Sequence, residues 1–304
     1  MNALDQRRFL FITGKGGVGK TTVSAALAQA MAKRGKRVLI TATDAKERIS
    51  SLFQVEPLGP DISEIATNVF GVRITPERAL REYGEMILKS RVVYDAVFDN
   101  KYVRSFFAAV PGLYEWAVLG KAWYHSTEEL PDGSPRFDVV LFDAPATGHG
   151  LDMLRVPKVI VDIVPPGILR RDAERAWKMF RNPAESGVVV VTLPEDMPTN
   201  ETLELVTTLK AELGLPLARL VINAVLDPLF SEPEREALLS PRDLDRSAAG
   251  DEAVACGVRR AIRERVQADA LERLAAVDAP AVRLPLLLEE ASTLEAITEL
   301  AGYF

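Results

Sequence analysis

Nine residues near the start of the numbering carry most of the chemistry: Gly14, Lys15, Gly16, Gly17, Val18, Gly19, Lys20, Thr21 and Thr22. Their spacing is Gly14, four residues, then Gly19-Lys20-Thr21, the pattern of a glycine loop that cradles phosphates. Glycines let successive backbone N–H groups converge on an anion. Lys20 is placed to reach β- and γ-phosphates, and the Thr21 hydroxyl to ligate Mg²⁺. The expected cofactors are therefore ATP and Mg²⁺. The loop needs a strand before it and a helix after it. Phe9-Leu10-Phe11-Ile12-Thr13 is short and apolar, as a buried parallel strand is. Val23 to Lys33 has the Ala, Leu and Met content of a helix, whose N-terminus adds positive potential at the loop. A second chemical candidate is Asp143, which ends the apolar run Val139-Val140-Leu141-Phe142. A carboxylate at the C-terminal end of such a strand sits where α/β sheets bind ligands and can hold the magnesium shell.

The elements that position these groups alternate strand and helix. Further strands are expected at Val38–Ala42, Val72–Thr75, Val139–Phe142, Val188–Thr192, Leu220–Asn223 and Val282–Leu284. Near-continuous Val/Ile/Leu runs imply a sheet covered on both faces. The fold class is α/β: a doubly wound, mostly parallel sheet with a helical subdomain inserted. Residues 1–304 read as one domain, with helical insertions at about 76–130 and 231–276. The first insertion is aromatic. Tyr94, Phe98, Tyr102, Phe106, Phe107, Tyr114, Trp116, Trp123 and Tyr124 place nine of 21 aromatics within 31 positions. That density points two ways: 84–124 is read as a groove for an apolar client segment or as the core of the helical subdomain or a dimer contact. The second insertion reads as exposed helices, and the basic cluster Lys33, Arg34, Lys36 and Arg37 as a solvated helix end.

Composition bounds the partners. The chain has 304 residues, 48% of them hydrophobic, enough for a large core. A formal net charge of −6 argues against a nucleic-acid surface. One cysteine, Cys256, excludes an internal disulfide framework and fits a reducing, cytoplasmic setting. No apolar run approaches the ~18 residues that span a bilayer, so no membrane insertion is expected. Arg7-Arg8-Phe9-Leu10 has a twin-arginine look, but its apolar run ends at the glycine loop, which makes it a strand. Cys256 is expected to be inert and His125 to lie at the surface.

Lys15, directly after the first glycine, gives GKGG. This resembles the deviant Walker A P-loop of dimeric ATPases that include arsenite-pump ATPases, tail-anchored-protein targeting factors, Min- and Par-type positioning ATPases and nitrogenase iron protein. Asp143-Ala144-Pro145-Ala146-Thr147-Gly148-His149 narrows the resemblance to the arsenite-pump and tail-anchored-targeting branch, whose switch II reads D-(T)-A-P-T-G-H. Ala146 is extra or displaced, and Gly150 stands where threonine is usual. Thr43-Asp44-Ala45-Lys46-Glu47 matches switch I of that branch at Asp44, while Ala45 replaces its proline and Lys46-Glu47 break its A-H-S. Ile74-Thr75-Pro76, Pro111-Gly112 with Glu115, Thr192-Leu193-Pro194-Glu195 with Glu201-Thr202, Val221-Ile222-Asn223 and Pro285-Leu286-Leu287 resemble further elements of the branch.

The resemblance implies a P-loop ATPase in which Lys20 and the loop amides hold ATP and Thr21 and Asp143 serve the metal. It implies that Asp44 positions the attacking water, and that Lys15 acts across a dimer interface on the partner's nucleotide. Thr147 and His149 would sense the γ-phosphate, Glu201 would approach nucleotide across the dimer, and Asn223 and Pro285 would meet adenine. The assembly would be a homodimer or a heterodimer with a paralogue. The branch's arsenite and zinc sites need several thiolates, so with Cys256 alone neither zinc nor arsenite is expected. The alternative is a Min- or Par-type positioning ATPase on a membrane, filament or DNA. Against it, the tail Leu294 to Phe304 carries Glu295 and Glu299 and no Lys or Arg.

Overall fold

The computed structural model describes residues 3–43, 47–88, 112–145, 149–240, 249–287 and 292–304. Its frame is an eight-stranded sheet: β1 (Phe9–Thr13), β2 (Val38–Ala42), β3 (Ser63–Ala66), β4 (Val69–Arg73), β5 (Val139–Asp143), β6 (Ser186–Thr192), β7 (Leu217–Val225) and β8 (Ala281–Pro285). The order across the sheet is β3-β4-β2-β5-β1-β6-β7-β8, parallel throughout except for β3 against β4. Every residue of β1, β2, β5 and β6 is buried. The alternation explains why: Phe9, Phe11, Val140 and Phe142 enter the core on one face, and Leu10, Ile12, Val139 and Leu141 enter the core on the other. Helices cover both faces, so these strands read as unbroken apolar runs.

One face is covered by α1 (Lys20–Lys33), the short α2 (Ile49–Phe53) and α10 (Leu294–Ala301). The other is covered by α4 (Leu113–Thr127), α5 (His149–Ile163) and α6 (Ile168–Phe180), with α3 (Pro76–Leu88) packed on α4. Phe180 of α6 meets Phe9 at 5.1 Å and Phe11 at 4.8 Å between ring centroids. Beyond β6 lie α7 (Asp196–Thr208), α8 (Glu232–Leu239) and the long α9 (Ala249–Leu274).

Several expectations shift. The strand expected at Val72–Thr75 is Val69–Arg73, because Val69 to Val72 pair with β2 while Ile74 donates its N–H to Ala42 O at 2.9 Å and Pro76 opens α3. The half-exposed edge strand β3 had no apolar run to announce it. His125 is buried, not at the surface: its Nδ1 lies 2.6 Å from Glu128 Oε2 one turn on, which partners one ring nitrogen, while Nε2 is buried without a hydrogen bond among the described residues. In the cluster at the end of α1, Lys33 and Arg34 are exposed as expected, and Arg34 in addition clamps the buried Asp5 at 2.7 Å through both Nε and Nη2. The second insertion is split. No residue of α8 is buried, whereas α9 buries Ala261, Glu264, Gln267, Ala270 and Leu274. Trp116 is core, 1% exposed, with its indole against Gly120 one turn further along α4. Tyr94, Phe98, Tyr102, Phe106 and Phe107 lie outside the described residues.

Candidate functional site

The site forms where β1, β2 and β5 end. Register sets Ile12 and Ala42 on either side of Asp143, and Ala144 N donates to Ile12 O at 3.1 Å, so three loops leave the sheet side by side. The first is the glycine loop. A Cβ on Gly14, at φ 146°, would collide with Val191 O of β6, so only glycine passes there. Gly19, at φ 92°, caps α1 in the left-handed region, and a Cβ on it would strike the Asn223 amide. Val18 is buried between these turns, and Gly16 and Gly17 face outward.

Lys20 is buried, and its Nζ curls back to donate to Gly14 O at 3.2 Å and Lys15 O at 2.9 Å. Thr21 Oγ1 donates to Asp143 Oδ2 at 2.8 Å, and Ser24 Oγ, one turn later on α1, donates to Oδ1 at 3.0 Å. Thr43 Oγ1 donates to the Asp143 carbonyl at 3.1 Å. Lys20, Thr21, Thr22 and Asp143 border a cavity of about 790 Å³, closed on its far side by Glu47, Arg48 and Ser51. A hydroxyl and a carboxylate are hard oxygen donors, the set that suits Mg²⁺ completed by phosphate and water. Among the described residues no group of three or more His, Cys, Asp or Glu converges on a metal position. Mg²⁺ needs no such cage, because it keeps its waters and takes one or two carboxylates.

Lys15 points elsewhere. Its Nζ pairs with Glu201 of α7 in the same chain and lies 3.3 Å from Met197 Sδ, and it does not border the cavity. On the opposite flank Asn223 Nδ2 donates to Val18 O at 2.9 Å, which ties the end of β7 to the glycine loop and leaves its carbonyl oxygen for other contacts. Pro285 ends β8, and Leu286 N donates to Val225 O at 2.8 Å beside it. Asp44 and Thr147 lie outside the described residues; His149 opens α5.

Three contributors were missed. Ser24 follows Thr21 at a helical i, i+3 spacing, a signal that was available. Gln267 of α9 brackets the segment after β7, accepting from Leu226 N and donating to Leu226 O, each at 2.8 Å. Glu264 accepts from Leu229 N at 2.8 Å and from Arg260 Nε at 2.7 Å. Burial pushes the Glu264 carboxyl up, and Arg260 with those amides more than reverses it, holding it below the usual carboxylate range. Both polar residues interrupt the buried stripe Ala261, Ala270, Leu274, which is how sequence could have found them.

The model of the anion-transporting ATPase family matches residues 7–165, just over half of the chain. The chain belongs to that family. As a family ATPase it is similar to ATPase BagA of Mycobacterium tuberculosis, 29% identical over 298 residues that cover 91% of this chain and 87% of the relative. An arsenical pump-driving ATPase of Escherichia coli is 31% identical over 267 residues, 78% of this chain but 44% of the relative's own length. ATPase GET3 of Kluyveromyces lactis is 25% identical over 260 residues, 74% of each. Among the described residues no helix of this ATPase is long and apolar enough to cross a membrane.

Proposed function

We propose that the chain is a Mg²⁺-dependent ATPase that works as a dimer and couples hydrolysis to movement of its helical elements. The observation that carries this reading is the Thr21–Asp143 hydrogen bond, 2.8 Å long, on the wall of the same cavity as Lys20. It brings the glycine loop and the β5 carboxylate to one point. ATP would lie with its base toward Asn223 and Pro285 and its phosphates over Gly17 to Thr22. Lys20 would exchange its two carbonyl acceptors for β- and γ-oxygens, and Thr21 and Asp143 would hold Mg²⁺ directly or through water. The ion, when bound, neutralises charge on the transferred group. Asp44 would orient the attacking water, and the loop before α5, with Thr147 and His149, would report the nucleotide state.

The dimer is supported by where Lys15 points. Paired with Glu201 on the surface, it is turned from its own cavity and is available to serve a partner's. Glu201 would follow it across the interface. A groove of about 640 Å³ between α3, α4 and α6, with Met86 and Tyr124 exposed on its walls, supports an apolar protein client. The anion and arsenic chemistry in the names of family and relatives is not carried over. Cys256 is exposed on α9, remote in sequence from the loops of the cavity, and one thiol makes neither an arsenite nor a zinc site. No observation favours the positioning-ATPase alternative.

The test is Lys20→Ala followed by titration calorimetry with ATP and Mg²⁺. Affinity should fall about a hundredfold, the scale of a lost charge-assisted contact or two. Normal affinity in that variant would place ATP elsewhere.

A further inference from the structure

We propose that Arg48 is a second phosphate-binding cation of the nucleotide cavity, supplied by the same chain and directed at the terminal phosphate. This rests on the nucleotide reading of that cavity. The sheet order gives direction: β7 and β8 carry Asn223 and Pro285 on the base side, β1 delivers the glycine loop, and β5 and then β2 lie beyond it. A phosphate chain running from base to γ-phosphate therefore ends toward the loop after β2, where Arg48 borders the cavity.

Arg48 is exposed there, and among the described residues its guanidinium makes no hydrogen bond and no ion pair. The neighbouring Glu47 is not paired with it; that carboxylate turns to backbone amides, Oε1 accepting from Ser50 N at 2.7 Å and Oε2 from Leu58 N at 3.3 Å. Of the other cations near the loop, Lys20 borders the cavity and rests on two carbonyls, and Lys15 pairs with Glu201 and does not border it. The Arg48 backbone is fixed as the cap of α2, with Leu52 N donating to Arg48 O at 3.2 Å, so its long side chain starts from a rigid base. A guanidinium with no partner, permanently charged and with a planar fork of donors, matches two oxygens of one phosphate. The terminal phosphate is what distinguishes ATP from ADP, so Arg48 sets that preference.

The experiment uses the full chain with Mg²⁺ and measures affinity for a non-hydrolysable ATP analogue and for ADP. Arg48→Gln should weaken the analogue about tenfold or more and ADP by less than about threefold. Arg48→Lys, which keeps charge without the fork, should recover part of the loss. Equal weakening of both nucleotides, or none of either, while Lys20→Ala loses both, would overturn the role of Arg48 and leave the cavity reading standing. If Lys20→Ala also binds normally, the cavity reading itself falls. A purely structural role for Arg48 would lower thermal stability without moving the ATP-to-ADP ratio, and that result counts against the proposal.

Discussion

The cavity at the strand ends and the groove between α3, α4 and α6 are of similar size, about 790 and 640 Å³, yet they are built in opposite ways. On the cavity side, short side chains gather on the β5 end that sheet register positions: Thr21 donates to the Asp143 carboxylate and Thr43 to the Asp143 carbonyl. The groove is walled by long side chains on helices. Glu82 of α3 meets Lys121 of α4 at 2.8 Å and Arg78 at 2.7 Å, and Tyr83 donates to Asp172 of α6 at 3.2 Å. Burial and that carboxylate push the Tyr83 hydroxyl well above its ordinary value, so it stays a donor. Register fixes atoms to within tenths of an ångström, which phosphate chemistry requires. Ion pairs on helices tolerate repacking, which would suit the apolar client proposed for this groove.

The sharpest way to break this contrast is Lys15→Ala. It should leave ATP binding nearly normal and slow hydrolysis about a thousandfold, the low end of what an arginine finger supplies. Mixing it with Asp44→Asn subunits should restore turnover in hybrid dimers, because one site then has its own Asp44 and its partner's Lys15. Confirmed hybrids that stay inactive would end the cross-subunit role. Next in size is Trp116→Ala, which should cost about 3–5 kcal/mol of stability by emptying the floor of the groove. Its KM for ATP should stay unchanged in chemical denaturation and kinetic assays run together; a shifted KM would join the two regions.

The smallest effect concerns pH. Burial pushes the Glu82 carboxyl up, but hydrogen bonds from Lys121 and Arg78 outweigh it, and its value is lowered from 4.5. A depressed carboxylate contributes stability at pH values above its unfolded value and loses it as pH falls through the folded one. Acid below about 4.5 should therefore loosen α3 from α4, with Glu82→Gln abolishing that part of the dependence. Glu82 is partly exposed, so the contribution is below about 1 kcal/mol. Stability curves of the two proteins that stay parallel from pH 7 to 3 would refute it.

The difference in construction also explains what could be read in advance. Phe9 to Thr22 announces strand, turn and helix because burial on both faces and three glycines at positive φ leave few other sequences workable. Asp143 was legible for the same reason, as a charge closing a run that has no room for one. The groove was not. Helical spacing gives the same apolar residues whether a side chain faces core or solvent, so Trp116 and Tyr124, eight apart on one helix, read alike and differ in burial. The polar struts Gln267 and Glu264 were visible as interruptions of a buried stripe, but the backbone groups they hold lie 41 and 35 positions away, which side-chain types do not reveal.

The central place of β1 carries a consequence for synthesis. Its neighbours are β5, which begins at Val139, and β6, which begins at Ser186, so β1 gains its first partner only after Val139 has been translated and its second only after Ser186. At roughly 5–20 residues per second, the stretch from Phe9 to Ser186 takes on the order of 10–40 s to emerge. Until β5 emerges the glycine loop lacks the Asp143 carboxylate, and until β6 emerges it lacks Val191, so an edge of FLFIT stays open to chaperones or to other nascent chains through the whole interval. Nucleotide can be captured only once the sheet has closed around β1, so ATP rewards a finished fold rather than guiding an early one.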